Sequence, residues 1–200
     1  MTPNSLDRIV AGRLILASQS PRRAQLLSQI GLEFMVVPSH LDEDAITVTD
    51  PTQHVLTLSR LKAEHVAGQI GDGLVVGADT IVVLDDQILG KPVDESDAFQ
   101  MLRRLSGRTH QVYTGFTIIE RPQGRLVSSY EMTNVHFRDL QDWEIDNYIA
   151  TRHPMDKAGA YGIQDQSAVF ADRIEGCFYN VVGFPLTRFY LTIIDFLKRM

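Results

Sequence analysis

Leu14-Ile15-Leu16-Ala17-Ser18-Gln19-Ser20-Pro21-Arg22-Arg23 turns an apolar strand candidate directly into a helical pattern. Ser20 suits the N-cap, and Pro21 suits the first helical position, where a missing N–H costs nothing. Arg22 and Arg23 are less ordinary, because two cations in a first turn face the positive end of the helix dipole, at roughly 0.3–1 kcal/mol each when exposed. A phosphate would compensate them: free backbone N–H groups already favour an anion there, and arginine adds a bidentate fork. The same residues also fit a capped helix with two solvated arginines. The stretch lacks the glycines of a Walker loop or a dinucleotide fingerprint.

At 200 residues, 44% hydrophobic and 22% charged, the chain has material for one globular domain or two small lobes, and its composition is not that of a disordered segment. The net charge is −6 and no long basic run occurs, so a broad electrostatic footprint for nucleic acid is missing. A small anion held by a few local cations stays open. Cys177 is the only cysteine, which excludes an internal disulfide and any cysteine-rich zinc site and suits a reducing compartment. The histidines are scattered, and none forms the His-x-x-x-His pair of zinc hydrolases. Met1 to Arg13 has no apolar core long enough for a signal peptide, and nothing later approaches a membrane span. The expectation is a soluble, cytoplasmic protein with no membrane partner.

Beyond the opening stretch, a helix over Pro21–Ile30 stops at Gly31, and Phe34–Val37 forms a short strand. Pro38 to Asp50 is polar, with Asp42, Glu43 and Asp44 consecutive. A helix then runs from Pro51 past Lys62 to about Ile70. Its apolar stripe includes Val55, Leu58 and Leu61, with Lys62 at the edge. In Gly73–Leu84, two buried-strand runs, Leu74-Val75-Val76 and Ile81-Val82-Val83-Leu84, are interrupted by Gly77-Ala78-Asp79-Thr80. Burying an unpaired carboxylate costs several kcal/mol, so Asp79 should pair with a cation or metal, or sit where a bulge brings it to a cleft. The alternative is a tight turn in which Asp79 bonds its own backbone.

Asp85-Asp86-Gln87 makes a hairpin turn, and the returning Ile88-Leu89-Gly90-Lys91-Pro92 puts Lys91 near the hairpin base. Asp94–Leu105 is a helix with acids in its first turn and Arg103 and Arg104 in its last. Val112–Glu120 and Leu126–Phe137 form a hairpin around Pro122-Gln123-Gly124, followed by a short helix over Asp142–Ala150. The glycine-bearing stretch from Pro154 to Gln164 is irregular, of the kind that lines sites. Val169–Ile174 and Phe178–Val182 read as a final pair of strands, and a helix runs from Pro185 to about Lys198. No linker or repeat stands out, so residues 1–200 form one domain in which any lobes are interleaved.

Ser18-Gln19-Ser20-Pro21-Arg22-Arg23, Gly77-Ala78-Asp79-Thr80, Gly90-Lys91-Pro92 and Asp156-Lys157-Ala158-Gly159-Ala160-Tyr161-Gly162-Ile163-Gln164 together resemble the Maf family of nucleoside triphosphate pyrophosphatases, from about Leu14 to Leu197. The resemblance implies a mixed α/β fold: a twisted sheet with flanking helices, in two lobes around a central cleft, like that of the inosine triphosphate pyrophosphatases. It also implies metal-dependent cleavage of a nucleoside triphosphate to monophosphate and pyrophosphate, and homodimers are common among similar proteins. The last motif is similar to that of the branch acting on dTTP and UTP rather than the branch associated with 7-methyl-GTP. Matching positions give Asp79 as proton acceptor and Arg22, Thr80 and Gln164 as specificity residues. Glu43, Lys62 and Lys91 are further site members, and Ser18, Ser20, Arg23 and Lys157 lie within the matched motifs. Gly90 stands where relatives often carry an acid, and Asp165-Gln166-Ser167 replaces a glycine-rich turn; the second change bears on the base pocket.

These residue types suit the chemistry. A triphosphate carries about four negative charges, so an acidic chain must bind it through local cations and a metal. Arg22 and Arg23 can grip phosphate oxygens, while Lys62 and Lys91 act as point charges. Glu43 and Asp79 are hard oxygen donors of the kind Mg²⁺ or Mn²⁺ accepts. The Gln164 amide offers a donor and an acceptor, matching the N3–H and carbonyl edge of uracil and thymine. A different class of function is a nucleotide or nucleic-acid sensor influencing cell division, as the family name suggests.

Overall fold

The structure is a computed structural model and describes Val10, residues 13–41 and residues 48–198. The chain runs β1 (Leu14–Ala17), α1 (Pro21–Gln29), β2 (Phe34–Val36), α2 (Pro51–Ala67), β3 (Gly73–Leu84), β4 (Gln87–Leu89), α3 (Glu95–Leu105), β5 (Thr109–Arg121) and β6 (Leu126–Phe137). It continues through α4 (Asp142–Ala150), three 3-10 turns (His153–Asp156, Ala158–Ala160, Gln166–Phe170), β7 (Ala171–Glu175), α5 (Phe178–Val182) and α6 (Leu186–Lys198). The strands make a seven-stranded mixed sheet in the order β2-β1-β3-β5-β6-β7, with β4 on β3. Pairing is parallel where helices cross over, β1 with β2 and with β3, and antiparallel for β3–β4 and β6–β7. The mixed sheet with helices that the family resemblance implied is present.

Helix starts follow local chemistry. Ser20 caps α1 by accepting from the Arg23 N–H, with Pro21 in the first turn. Asp50 caps α2 through the Gln53 N–H at 2.7 Å, again ahead of a proline. Asp94 caps α3 through the Asp97 N–H at 2.8 Å. The β3–β4 turn at Asp85 and Asp86 has φ of 50° and 60°, the left-handed pair that a two-residue hairpin demands.

Two expectations fail. Gly73–Leu84 is one unbroken strand, not two runs around a turn. Phe178–Val182 is a short helix rather than a strand, and the preceding strand covers Ala171–Glu175. There Gly176 takes φ +129°, the Cys177 N–H is accepted by Thr133 Oγ1 at 3.1 Å, and Asn180 Nδ2 donates to the Val112 carbonyl at 2.9 Å. Those bonds hold the segment by polar contacts at one end and in its middle, which a helical turn permits and a ladder does not need.

The chain divides into two compact units, one of residues 1–79, 114–131 and 183–200, the other of 80–113 and 132–182. In the first, β1 and β3 pack on α2 through Ile15, Ala17, Val75, Ala63, Val66 and Ala67. Phe116 on β5 meets Phe184 and Phe189, the latter on α6, with ring centroids 5.8 and 5.6 Å away. In the second, Val82, Leu84, Leu102, Leu105, Val135 and Phe137 belong to one core with Tyr148, Tyr161 and Phe170. No helix among the described residues is long and apolar enough to cross a membrane.

Candidate active site

The first unit is organised by close approach of a helix to a sheet. A Cβ on Gly77 would lie 2.2 Å from the Ser59 carbonyl oxygen and 2.6 Å from the Ala63 nitrogen, and one on Gly115 would lie 2.6 Å from the Val55 carbonyl. No side chain fits at either place, so glycine lets the α2 backbone lie against β3 and β5. Ser59 Oγ and Thr117 Oγ1, 3.0 Å apart, fasten the same face. Side chains alternate along a strand, so Asp79, two residues after Gly77, also looks at α2.

Lys62 meets it there. Its Nζ donates to Asp79 Oδ1 at 2.7 Å, and both residues are only 5% exposed. Removing two charges from water is costly, and each is tolerable because the other is in contact. Asp79 Oδ2 is buried and has no hydrogen-bond partner among the described residues. His54 Nε2 lies 4.0 Å from it. The other ring nitrogen, Nδ1, lies 3.0 Å from the Val48 carbonyl. Nothing in the sequence reading singled out His54, although His54, Leu58 and Lys62 recur every fourth residue and so share one helix face.

The α1 start is a second cluster in this unit. Ser18 is 5% exposed, and its Oγ accepts from the Ser20 N–H at 3.2 Å and from Arg23 Nη1 at 3.1 Å. Arg23 Nε donates to the Gly183 carbonyl at 3.0 Å, so this guanidinium ties the loop to the start of the last segment. Arg22 is half-buried in the same first turn.

Other expected residues belong to the second unit. Thr80 follows Asp79 on β3 and is half-buried, and Lys91 is exposed just beyond β4. The Gly90 carbonyl accepts from the Gly159 N–H at 2.9 Å, joining the hairpin base to the last motif. Gly159 has φ +68°, and a Cβ there would press on three atoms of Val82 at 3.0 Å. Lys157 Nζ bonds the His153 carbonyl and, at 2.6 Å, Asp156 Oδ1. It also lies 3.6 Å from Asp165 Oδ2.

Gln164 is exposed, on an arc fastened at both ends. Asp165 Oδ1 accepts from the Ser167 N–H at 3.0 Å and lies 2.8 Å from Ser167 Oγ, and Asp165 Oδ2 accepts from Tyr148 Oη at 3.0 Å. Ser167 Oγ also reaches the Gly162 carbonyl and N–H, at 2.9 and 3.1 Å. The segment that departs from the family pattern is therefore a braced turn. Below it, Tyr161 Oη lies 2.7 Å from His110 Nε2 in the core. Burial pushes the Tyr161 phenol up and the His110 imidazole down, the latter to about 3. His110 is therefore neutral at ordinary pH.

Glu43 lies outside the described residues. Among those described, no group of three or more His, Cys, Asp or Glu side chains could hold a metal ion. The open Asp79 oxygen nevertheless has the chemistry that Mg²⁺ or Mn²⁺ takes, since such ions are commonly bound by one or two carboxylates and completed by substrate phosphates and water.

The fold is that of a mixed-sheet α/β protein related in architecture to HAM1. A HAM1 protein from Coxiella burnetii superimposes with a TM-score of 0.50 at 14% identity, covering 91% of this chain and 98% of that one. The sequence model described as Maf-like protein matches residues 13–196, and the chain belongs to the Maf family. Curated relatives named dTTP/UTP pyrophosphatase include one from Carboxydothermus hydrogenoformans, 49% identical over 89% of this chain and 95% of its own length. Another, from Caldicellulosiruptor bescii, is 47% identical over 88% and 90%.

Proposed function

We propose that this chain hydrolyses nucleoside triphosphates, dTTP and UTP foremost, to the monophosphate and pyrophosphate with a divalent metal ion. Relatives of that name at 49% and 47% identity support the substrate class. The single observation that carries the chemistry is Asp79, with one oxygen held by Lys62 at 2.7 Å and the other buried without a hydrogen-bond partner among the described residues.

Lys62 fixes the carboxylate's rotation and supplies the compensating charge. The remaining oxygen is then directed and free to accept. It takes a proton from a water molecule as that water attacks the α-phosphorus. The new bond joins the water oxygen to phosphorus, the bond to the bridging α,β-oxygen breaks, and pyrophosphate departs. No covalent enzyme intermediate is needed. Glu43, with substrate phosphates and water, would hold Mg²⁺ or Mn²⁺, which when bound neutralises triphosphate charge and makes a coordinated water more acidic, so that Asp79 takes its proton more readily.

Arg22, Arg23, Lys91 and Lys157 bind phosphate oxygens in this reading, and Ser18 and Ser20 shape the loop at the α1 start. Thr80 and Gln164 select the base, the Gln164 amide donating to a carbonyl and accepting from N3–H. Cytosine offers the wrong pattern and leaves that amide unpaired, which can discriminate strongly.

The test is a panel of triphosphates assayed for pyrophosphate release with Mg²⁺ or Mn²⁺, and again with chelator. Release from dTTP and UTP well above CTP, ATP and GTP, abolished by chelation, is the expected result. Binding without turnover would replace the enzyme with a nucleotide sensor. A higher kcat/KM for 7-methyl-GTP or a modified pyrimidine would move the substrate and leave the reaction in place.

A further inference from the structure

We propose that the outer margin of β6 pairs antiparallel with the same segment of a second copy of this chain, about a twofold axis at Ser128. The surface lies wholly in the first unit, and it does not depend on the reaction proposed above.

The backbone opens the way. At one end of the β5–β6 hairpin the Glu120 N–H donates to the Arg125 carbonyl, and at the other the Phe137 N–H donates to the Arg108 carbonyl. Both pairs keep one register, in which odd-numbered β6 residues turn their backbone groups to β5 while Leu126 and Ser128 turn theirs outward. Among the described residues, β7 pairs with β6 only through Asn134–Phe137. The margin that begins at Leu126 therefore meets no further strand of this chain among those residues. Leu126-Val127-Ser128-Ser129 carries no charge or proline to discourage one from another chain.

Side chains decide the occupant. Paired about Ser128, the stretch is complementary to itself: Arg125 stands opposite the second copy's Glu131, and Leu126 opposite its Tyr130. Parallel pairing in register would set Arg125 against Arg125 and Glu131 against Glu131, and like charges directly opposite are unfavourable. Both charges belong to the α6 side of the sheet. Arg125 lies over the Phe196 ring at 4.8 Å and pairs with Glu120 at 2.6 Å, and Glu131 accepts from Arg188 Nε at 3.1 Å. The axis joins these into a row of alternating sign: Glu120 and Arg125, then Glu131 and Arg188 of the second copy. On the other side, where Ser128 Oγ lies 2.8 Å from Thr117 Oγ1, Leu126 is 43% exposed and Tyr130 39%. Pairing covers both. Leu191, 61% exposed, shares the Arg188 flank of α6 and adds apolar surface near the axis.

The experiment is sedimentation equilibrium of the full chain across the micromolar range, where the expected mass is twice the 22.5 kDa of one chain. Ser128→Pro removes an N–H that points away from β5, which an edge strand of the monomer tolerates, and should return the mass to one chain. Leu126→Lys leaves the Ser128–Thr117 bond in place and should weaken association about tenfold or more. Cross-linking reads the register. In a Cys177→Ser background, Ser128→Cys faces its counterpart at about 5.5 Å between Cα atoms, within disulfide range, and should give a covalent dimer on oxidation, whereas Gln123→Cys, beyond the segment, should not. A wild type that stays monomeric across the range, or whose mass grows past two chains, overturns the proposal. So does a dimer that survives both β6 substitutions and gives no cross-link through Ser128→Cys.

Discussion

Asp79 and Gln164 are presented by opposite kinds of construction. Asp79 rides in the middle of a strand buried along almost its whole length, and its partner Lys62 is brought to it by a helix lying against glycines on two strands. Gln164 stands on an irregular arc whose shape comes from side-chain hydrogen bonds: Ser167 to the Gly162 backbone, Asp165 to the Ser167 N–H, and the Tyr148 hydroxyl to the Asp165 carboxylate. One position is set by packing of regular elements, the other by a few polar bonds. A change at the first should therefore act steeply on chemistry or folding, and a change at the second should act in small steps.

The steepest effect is expected at Asp79. Asp79→Asn keeps the shape and can still accept from Lys62, but its amide cannot take a proton from water. Pyrophosphate release from dTTP should fall about 10²–10⁴-fold with the thermal transition still cooperative. Near-normal release from that variant would remove Asp79 from the reaction and leave the buried pair a structural feature of β3 and α2.

The second unit should give way at its base, and pH is the lever. His110 is 1% exposed, and burial holds its imidazole at about 3, against an ordinary value near 6.5. Between those values the unfolded chain binds a proton that the folded chain refuses, so stability is full above about pH 6.5 and declines as pH falls. One proton corresponds to about 1.4 kcal/mol per pH unit across that window. Urea midpoints should hold from pH 7.5 to about 6.5 and then fall down to pH 4.5 for the wild type, and fall less steeply for His110→Asn. Parallel curves would mean that other groups carry the acid sensitivity and that the histidine does not anchor Tyr161 in a neutral core.

The same contrast explains what the sequence disclosed. The Ser20 cap and the helix starts near Pro51 and Asp94 are local chemistry, and a carboxylate between apolar runs calls for a cation, a metal or a cleft by energy alone, of which Lys62 supplies the first. Gly77 misled because a glycine in a strand pattern reads as a break, whereas here it makes room for a helix far away in sequence. Phe178–Val182 misled because a short apolar run has no period long enough to separate helix from strand. His54 went unnoticed because its meaning depends on Asp79 and Val48, neither of them its sequence neighbour. The brace around Gln164 was invisible for a related reason: Asp165-Gln166-Ser167 reads as a polar loop until its side chains are seen to close on Gly162 and Tyr148.

That brace supplies the smallest and most discriminating effect. Ser167 is fully buried, and its hydroxyl serves both polar backbone atoms of Gly162 while lying 2.8 Å from Asp165. Ser167→Ala removes the hydroxyl and leaves Asp165 held by the Ser167 N–H and Tyr148, so the arc loosens without collapsing. The cost should be about 1 kcal/mol, the net worth of an ordinary intramolecular hydrogen bond. If Gln164 reads the base, that looseness must appear as selectivity, because a wandering amide bonds the correct edge less well and penalises the wrong one less. The dTTP-to-CTP ratio of kcat/KM should then drop about fivefold, the equivalent of that energy, mostly through KM for dTTP. Asp79 and Lys62 are untouched, so kcat for dTTP should change less than about twofold. A ratio that stays constant while stability falls would show that the arc supports the unit alone, and that base selection resides elsewhere.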